Sequence, residues 1–376
     1  MVYLKDLPVK ALGIDPGTAN FDLCCIEDDV DKVILDETIS SSVVAHEPER
    51  VLQLIMSADP DVVVGPSGYG VAFKLLSQAV DEDLALTTLE KRSDGGISVL
   101  SGVRRLLRLL KNSGLNVYMV PGVIQLPTIP IHRKSNRIDM GTADKTCVTA
   151  YAIWDQARRM DLEYNETRLI CVEMGYGYNA AMAVENGEIV DGVGGTIFPG
   201  PGYLSMGLMD GELAYLLGEF TKPRLFQGGA SFIASNDEIP LERFTRGRWG
   251  VYALGWKGFL EGVLKAVAQL LTAMDKRPYE VILTGRLSRI DELRNDIQEM
   301  LGRKLGIPVR RPSYVFTRRA KDVAMGAALI ADGVGGGKYS GLVDTLKIKE
   351  SHGTVLDHIF LQGFDKDQIL KGLRSD

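Results

Sequence analysis

Asp15-Pro16-Gly17-Thr18 closes an apolar run with a carboxylate, a glycine two positions on, and a hydroxyl. This set suits a phosphate. Only glycine lets main-chain N–H groups come close to such an anion, and a neighbouring carboxylate can orient a magnesium ion through its water shell. Thr18 can donate to a phosphate oxygen. One D-x-G-T string also describes a plain hairpin turn with an aspartate cap. Here the pattern occurs twice. Residues 12–28 read LGIDPGTANFDLCCIED, and 158 positions later residues 170–186 read ICVEMGYGYNAAMAVEN. Glu173 stands where Asp15 stood and Gly175 where Gly17 stood, with Tyr176 and Gly177 following. Each copy reads as strand, glycine turn, strand, near the start of one half of the chain.

Residues 132–145 (HRKSNRIDMGTADK) are the richest polar stretch, with Arg133, Lys134 and Arg137 beside Asp139 and Asp144. Phosphoryl transfer asks a protein mainly for positioning and for charge against the phosphates. If the acceptor is a carboxylate it is already ionised, so cations matter more than a base. The same residues have plainer uses: Asp144 as a helix N-terminal acid and Arg137 as a surface ion pair with Asp139. The loops at 192–196 (GVGGT) and 198–202 (FPGPG) could shape an acceptor pocket or simply turn tightly.

Other chemistries are excluded by what is missing. There is no G-x-x-x-x-G-K-[ST] and no G-x-G-x-x-G between a strand and a helix. The protein-kinase motif set and a G-x-S-x-G elbow are also absent. The four histidines form no H-x-x-x-H pair, which disfavours a zinc hydrolase. Lysine and arginine number 43 against 49 acids, for a net charge of −6, so nucleic acid and anionic membranes are not expected partners. No apolar run reaches the length of a membrane span and no signal-peptide core opens the sequence, so a cytoplasmic protein is expected. Cys24, Cys25, Cys147 and Cys171 form no C-x-x-C and read as buried thiols.

These residues need a scaffold, and at 376 residues the chain exceeds the roughly 250–300 residues at which one core stops growing. Strand patterns at 61–65, 116–120 and 280–284 alternate with helical patterns at 47–57, 99–111, 142–160, 252–274, 289–301 and 319–331, which favours an α/β fold. Glycine is in surplus, 41 residues in all, and many fall at the predicted strand ends. The glycine-rich 333–337 reads as a hinge, and the tail after it as helical and exposed.

In motif order the chain resembles the superfamily that contains acetate and butyrate kinases, sugar kinases, actin and the heat-shock chaperone ATPases. GIDPGT at 13–18 is similar to its first phosphate motif and VEMGYGYN at 172–179 to its second. VILTGRLS at 281–288 is similar to its adenosine motif. AMGAAL at 324–329 resembles its second connecting helix, whose small residues allow close packing, and 142–160 stands where the first should be. The resemblance implies two duplicated actin-like (ribonuclease H-like) domains with an ATP cleft between them. Residues 1–145 would form the first, 146–332 the second with the adenosine motif, and 333–376 the hinge and helical C-terminal segment.

ATP and Mg²⁺ are the cofactors implied. Asp15, Gly17, Thr18, Glu173, Gly175, Tyr176, Gly177, Gly285 and Arg286 would meet the nucleotide, and Asp15 and Glu173 would anchor the magnesium through water. Asp144, then Asp139, with Arg137, would serve catalysis. NRIDMGTADK at 136–145 resembles more narrowly a family of predicted butyrate kinases, implying an acyl phosphate made from a short-chain carboxylate. A sugar or polyol kinase, or an ATPase switch acting on a protein partner, shares the fold and stays open; so does a homodimer. The sequence departs from the superfamily at Glu173, where aspartate is common, at Tyr176, where a glycine or small hydroxyl residue is common, and at Gly285-Arg286, where glycines are usually paired. Adenine contacts are expected to differ accordingly.

Overall fold

A computed structural model describes residues 8–17, 19–94 and 98–374. The first half supplies β1 (Lys10–Pro16), β2 (Asn20–Glu27), β3 (Asp29–Ser40), β4 (Val62–Val64), β5 (Lys74–Leu75) and β6 (Val117–Met119), in the sheet order β3-β2-β1-β4-β6-β5. The second supplies β7 (Arg168–Met174), β8 (Asn179–Glu185), β9 (Glu188–Gly194), β10 (Glu280–Thr284) and β11 (Val309–Arg310), in the order β11-β10-β7-β8-β9. Setting aside the two-residue edge strand β5, the sheets have the same topology: an antiparallel meander extended by two parallel strands.

The repeat read in the sequence fixes the register as well. Lys10 lies opposite Glu27 in the first hairpin, and Arg168, 158 positions on, lies opposite Glu185 in the second. The paired strands of these hairpins, β1, β2, β7 and β8, bury both faces, and their side chains alternate between two cores with period two. On the first sheet Leu12, Leu23 and Cys25 face outward to helices Pro48–Ala58 and Ser98–Lys111. Ala11, Cys24 and Ile26 face inward. On the second, Ile170 and Val172 face helices Ala253–Leu271 and Asp291–Leu305, while Leu169 and Cys171 face inward.

One core joins the inner faces, and it is built on helices Ala143–Met160 and Asp322–Val334. The first of these follows the first half but packs on β7 and β8 of the second; the other follows the second half but packs on β1, β2 and β4 of the first. The small residues allow this close seating. A Cβ at Gly13 would fall 2.5 Å from the Ala324 carbonyl oxygen, and one at Gly326 would collide with the Cys147 carbonyl.

The C-terminal tail corrects an expectation. Read as exposed, it instead sends Leu342, Val343, Leu346, Ile348 and Val355 into the shared core, and only helix Lys366–Gly372 carries no buried residue. The 333–337 stretch is a packed turn, with Gly333 against Tyr339 and Gly337 against the Asp332 carboxylate. All four cysteines are buried free thiols. Among the described residues no helix is long and apolar enough to cross a membrane.

Candidate functional site

β1, β4, β7 and β10 all end at one cleft of about 250 Å³ lined by both halves of the molecule. The two hairpin turns form facing walls. Gly175 N–H donates to the Tyr178 carbonyl at 3.0 Å, which closes the second turn. Gly17 has the equivalent surroundings in the first, and its carbonyl accepts from Ser41 Oγ at 2.8 Å, tying the turn to helix Ser41–His46.

The carboxylates between the turns are closely set. Asp15 is 7% exposed and has no hydrogen-bond partner among the described residues. Burial pushes its carboxyl well above the usual range, and the nearby charges of Asp22 and Asp144 push the same way. Asp22, fully buried, takes hydrogen bonds from Lys321 Nζ and Thr38 Oγ1. Asp144 takes them from Thr142 Oγ1 and Lys145 Nζ. Lys145 Nζ also lies 3.1 Å from Glu173 Oε2, a buried oxygen without a directed hydrogen bond among the described residues. Glu173 is raised by burial and held down in part by Lys145. Burial opposes the Lys145 charge, yet Asp144 and Glu173 outweigh it and hold the ammonium well above the ordinary lysine range.

Asp139 faces the same cleft from just before helix Ala143–Met160. Its carboxylate accepts from Gly141 N–H at 2.8 Å and presses on Gly194 and Gly195, where any Cβ would crowd it. Burial raises its carboxyl, and the Gly141 N–H and the Lys145 charge oppose the rise. Gly285 sits at φ 82°, and a Cβ there would lie 2.5 Å from Glu173 Oε1; its N–H donates to buried Asp322 at 3.0 Å. Next to it the Arg286 guanidinium lies 4.9 Å from the Tyr176 ring centroid, and the Tyr176 hydroxyl donates to Glu238 at 2.7 Å. Two of the three departures from the superfamily pattern, at Tyr176 and Arg286, thus form one cation–π contact.

At the other end the cleft wall is Ser67, Tyr69, Thr88, Leu100 and Val120, faced by Phe226 and Lys222 of the second half. Lys222 reaches across. Its ammonium donates to the Tyr69 hydroxyl at 2.8 Å and its main-chain N–H to Asp94 at 2.7 Å. Thr88 Oγ1 and Asn179 Oδ1, both buried at the cleft, have no hydrogen-bond partner among the described residues.

Of the residues singled out in the sequence, Asp15, Gly17, Asp139, Asp144, Glu173, Gly175, Tyr176, Gly177, Gly285 and Arg286 all line this cleft. Thr18 lies outside the described residues. Arg137 is a correction: it does not line the cleft and makes no ion pair with Asp139, and its charge bears instead on Asp191. The rest of that basic stretch is also turned away. Helix Ile131–Lys134 directs Arg133 to the carbonyls of Val190 and Ala273, at 2.7 and 3.1 Å, and Lys134 to that of Leu126 at 3.0 Å. The cleft cations are Lys145, Lys222, Lys321 and Arg286. The three lysines were not selected from the sequence; Lys145 and Lys321 had a usable signal, since each stands at the start of a connecting helix.

A family model described as protein of unknown function (DUF1464) matches residues 13–361. No curated protein matches the chain. Among solved structures, a propionate kinase from Francisella tularensis subsp. tularensis is similar at 13% identity and a TM-score of 0.61, over 85% of this chain and 98% of that one. An acetate kinase from Porphyromonas gingivalis gives 15% identity and a TM-score of 0.58 over 86% and 98%. An acetate kinase from Entamoeba histolytica gives 10% and 0.55 over 81% and 96%. At these identities the likeness is one of fold, the two-domain α/β architecture of those kinases.

Proposed function

The chain belongs to the family described as protein of unknown function (DUF1464), and we propose that it is an ATP-dependent phosphotransferase acting on a short-chain carboxylic acid. One observation carries the transferase reading: two glycine turns in identical register face each other across one cleft with the Lys145 ammonium between them. The turn N–H groups would hold the polyphosphate, and Lys145 and Lys321 would offset its charge.

The residues present fit magnesium held through water. The Asp15 carboxylate is unpartnered among the described residues, Glu173 Oε2 lacks a directed hydrogen bond, and Asp144 stands close enough to both to shift them electrostatically. Contact through water suits a hard cation that keeps most of its waters. When bound with the nucleotide, magnesium would neutralise charge developing on the phosphates.

The acceptor reading rests on the far end of the cleft. Lys222 and the Thr88 hydroxyl would bind a carboxylate, and Leu100, Val120 and Phe226 would cover a short alkyl chain. An acid oxygen attacks the γ-phosphorus, the bond from phosphorus to the bridging oxygen breaks, and that electron pair leaves on ADP. The products are an acyl phosphate and ADP, and no general base is needed. Incubation with Mg·ATP, a panel of acids and hydroxylamine should give an acyl hydroxamate; its absence for every acid would refute the carboxylate acceptor.

A hydroxyl acceptor is the second reading, and Asp139 favours it. Its buried carboxyl, raised by burial and fixed by Gly141 N–H, would take the proton of an attacking alcohol. A phosphorylated sugar or polyol formed when such compounds replace the acids in that incubation would select it.

A further inference from the structure

Lys145 is the third residue of helix Ala143–Met160, yet its ammonium is shared between the two halves of the molecule, between Asp144 beside it and Glu173 at the end of β7. Glu173 is 5% exposed, so the Oε2 atom that faces the ammonium at 3.1 Å has little access to water. Lys321, the other ammonium nearby, is held by Asp22. Asp144 and Glu173 therefore share Lys145.

Resting on the nucleotide reading above, we propose that Lys145 sets the order in which metal and nucleotide bind. Its ammonium takes the place between Asp144 and Glu173 that a divalent cation would need, so the free cation is excluded and enters only with a polyphosphate that draws the ammonium away. A hard divalent cation sits about 2.0–2.6 Å from a carboxylate oxygen, or one water layer beyond it. Neither position is open on an oxygen already faced by an ammonium at 3.1 Å. Two cations at that range also repel, and more strongly beside buried carboxylates than in bulk water. The exchange asks little of the fold. A lysine stem has four rotatable carbons and the ammonium is a compact point charge, so it can leave two carboxylates for phosphate oxygens without moving its helix. Asp144 remains fixed by Thr142 Oγ1 when the ammonium goes.

The test is titration of the nucleotide-free protein with Mn²⁺ alone, followed by electron paramagnetic resonance, for wild type, Lys145→Met and Lys145→Gln. Both variants should bind free Mn²⁺ at least ten-fold more tightly than wild type, and the gain should vanish in Lys145→Met/Glu173→Gln. Equal Mn²⁺ affinity in wild type and the two single variants would overturn the proposal, as would a gain that survives the loss of the Glu173 charge. The nucleotide reading is judged separately, by binding of Mg·ATP to wild type. If that fails while the Mn²⁺ affinities differ, Lys145 still guards a cation site and the nucleotide assignment falls alone.

Discussion

A side chain at Gly17 would lie 2.6 Å from the Asn20 carbonyl oxygen, and one at Gly175 would lie 2.7 Å from that of Tyr178, so the two glycines hold the same position in the same turn. The obstacle in each case is main chain, which cannot rotate away. Gly17→Ala and Gly175→Ala should each cost about 1–3 kcal/mol of stability and weaken nucleotide binding at least ten-fold. Thermal unfolding and calorimetry check both. Nucleotide affinity unchanged in either variant would remove that turn from the phosphate site.

Lys222 bridges the end of the cleft proposed to take the acceptor and lies outside both glycine turns. Lys222→Met should therefore raise the KM for the acceptor ten-fold or more while the KM for ATP changes less than about two-fold, a loss of about 1.4 kcal/mol or more confined to one substrate. Steady-state kinetics with each substrate varied in turn measure the split. Equal effects on both would mean that Lys222 acts by holding the halves together.

Asp332 is fully buried at the end of helix Asp322–Val334, with one oxygen taking the Tyr339 N–H at 2.8 Å and the other without a hydrogen-bond partner among the described residues. Burial pushes its carboxyl up to about 6; the Tyr339 N–H opposes this and Asp28 and Asp29 add to it. A folded-state value above the unfolded one means that the neutral acid is favoured in the fold. Its contribution is whole below about pH 4 and is lost as the pH rises through about 6. Asp332→Asn should remove that loss, so the variant gains on the order of 2 kcal/mol over wild type between about pH 4 and pH 8. Urea unfolding of both proteins across this range reads the difference, and parallel curves would refute it.

Gly326 faces the Cys147 carbonyl where the two central helices meet. Gly326→Ala should destabilise by about 2 kcal/mol or more, whereas alanine at Gly302, which has nothing within 4 Å of an added Cβ, should stabilise its helix by about 0.5–1 kcal/mol. The pair of melting temperatures tests packing against propensity in one experiment.

The hairpins were legible because a duplication displays itself: one offset aligns acid with acid, glycine with glycine, and finally Lys10–Glu27 with Arg168–Glu185. AMGAAL was legible because a seam of small residues has few other uses. The cations were not. Arg133, Lys134 and Arg137 lie near Asp139 and Asp144 in sequence, but one turn of helix and a bend send the first two to main-chain carbonyls. Lys222 is carried to the cleft by a long insertion between β9 and β10 that contains no motif. Leu342, Val343 and Leu346 had helical spacing and could have been read as buried; the glycines before them suggested a loose hinge, where close packing was the reason for glycine.

Each central helix leaves one half of the chain and covers the sheet of the other. That is the arrangement of a swapped dimer whose two subunits have been joined end to end. Neither half owns a complete core: residues 1–142 alone would leave Ala11, Cys24 and Ile26 bare, and residues 161–321 alone would leave Leu169, Cys171 and Met182 bare. Cutting the chain in the turn near Asp161 should therefore give two pieces that are insoluble apart and assemble into an active pair when produced together, a reciprocal dependence that two independently folding domains on a linker would not show.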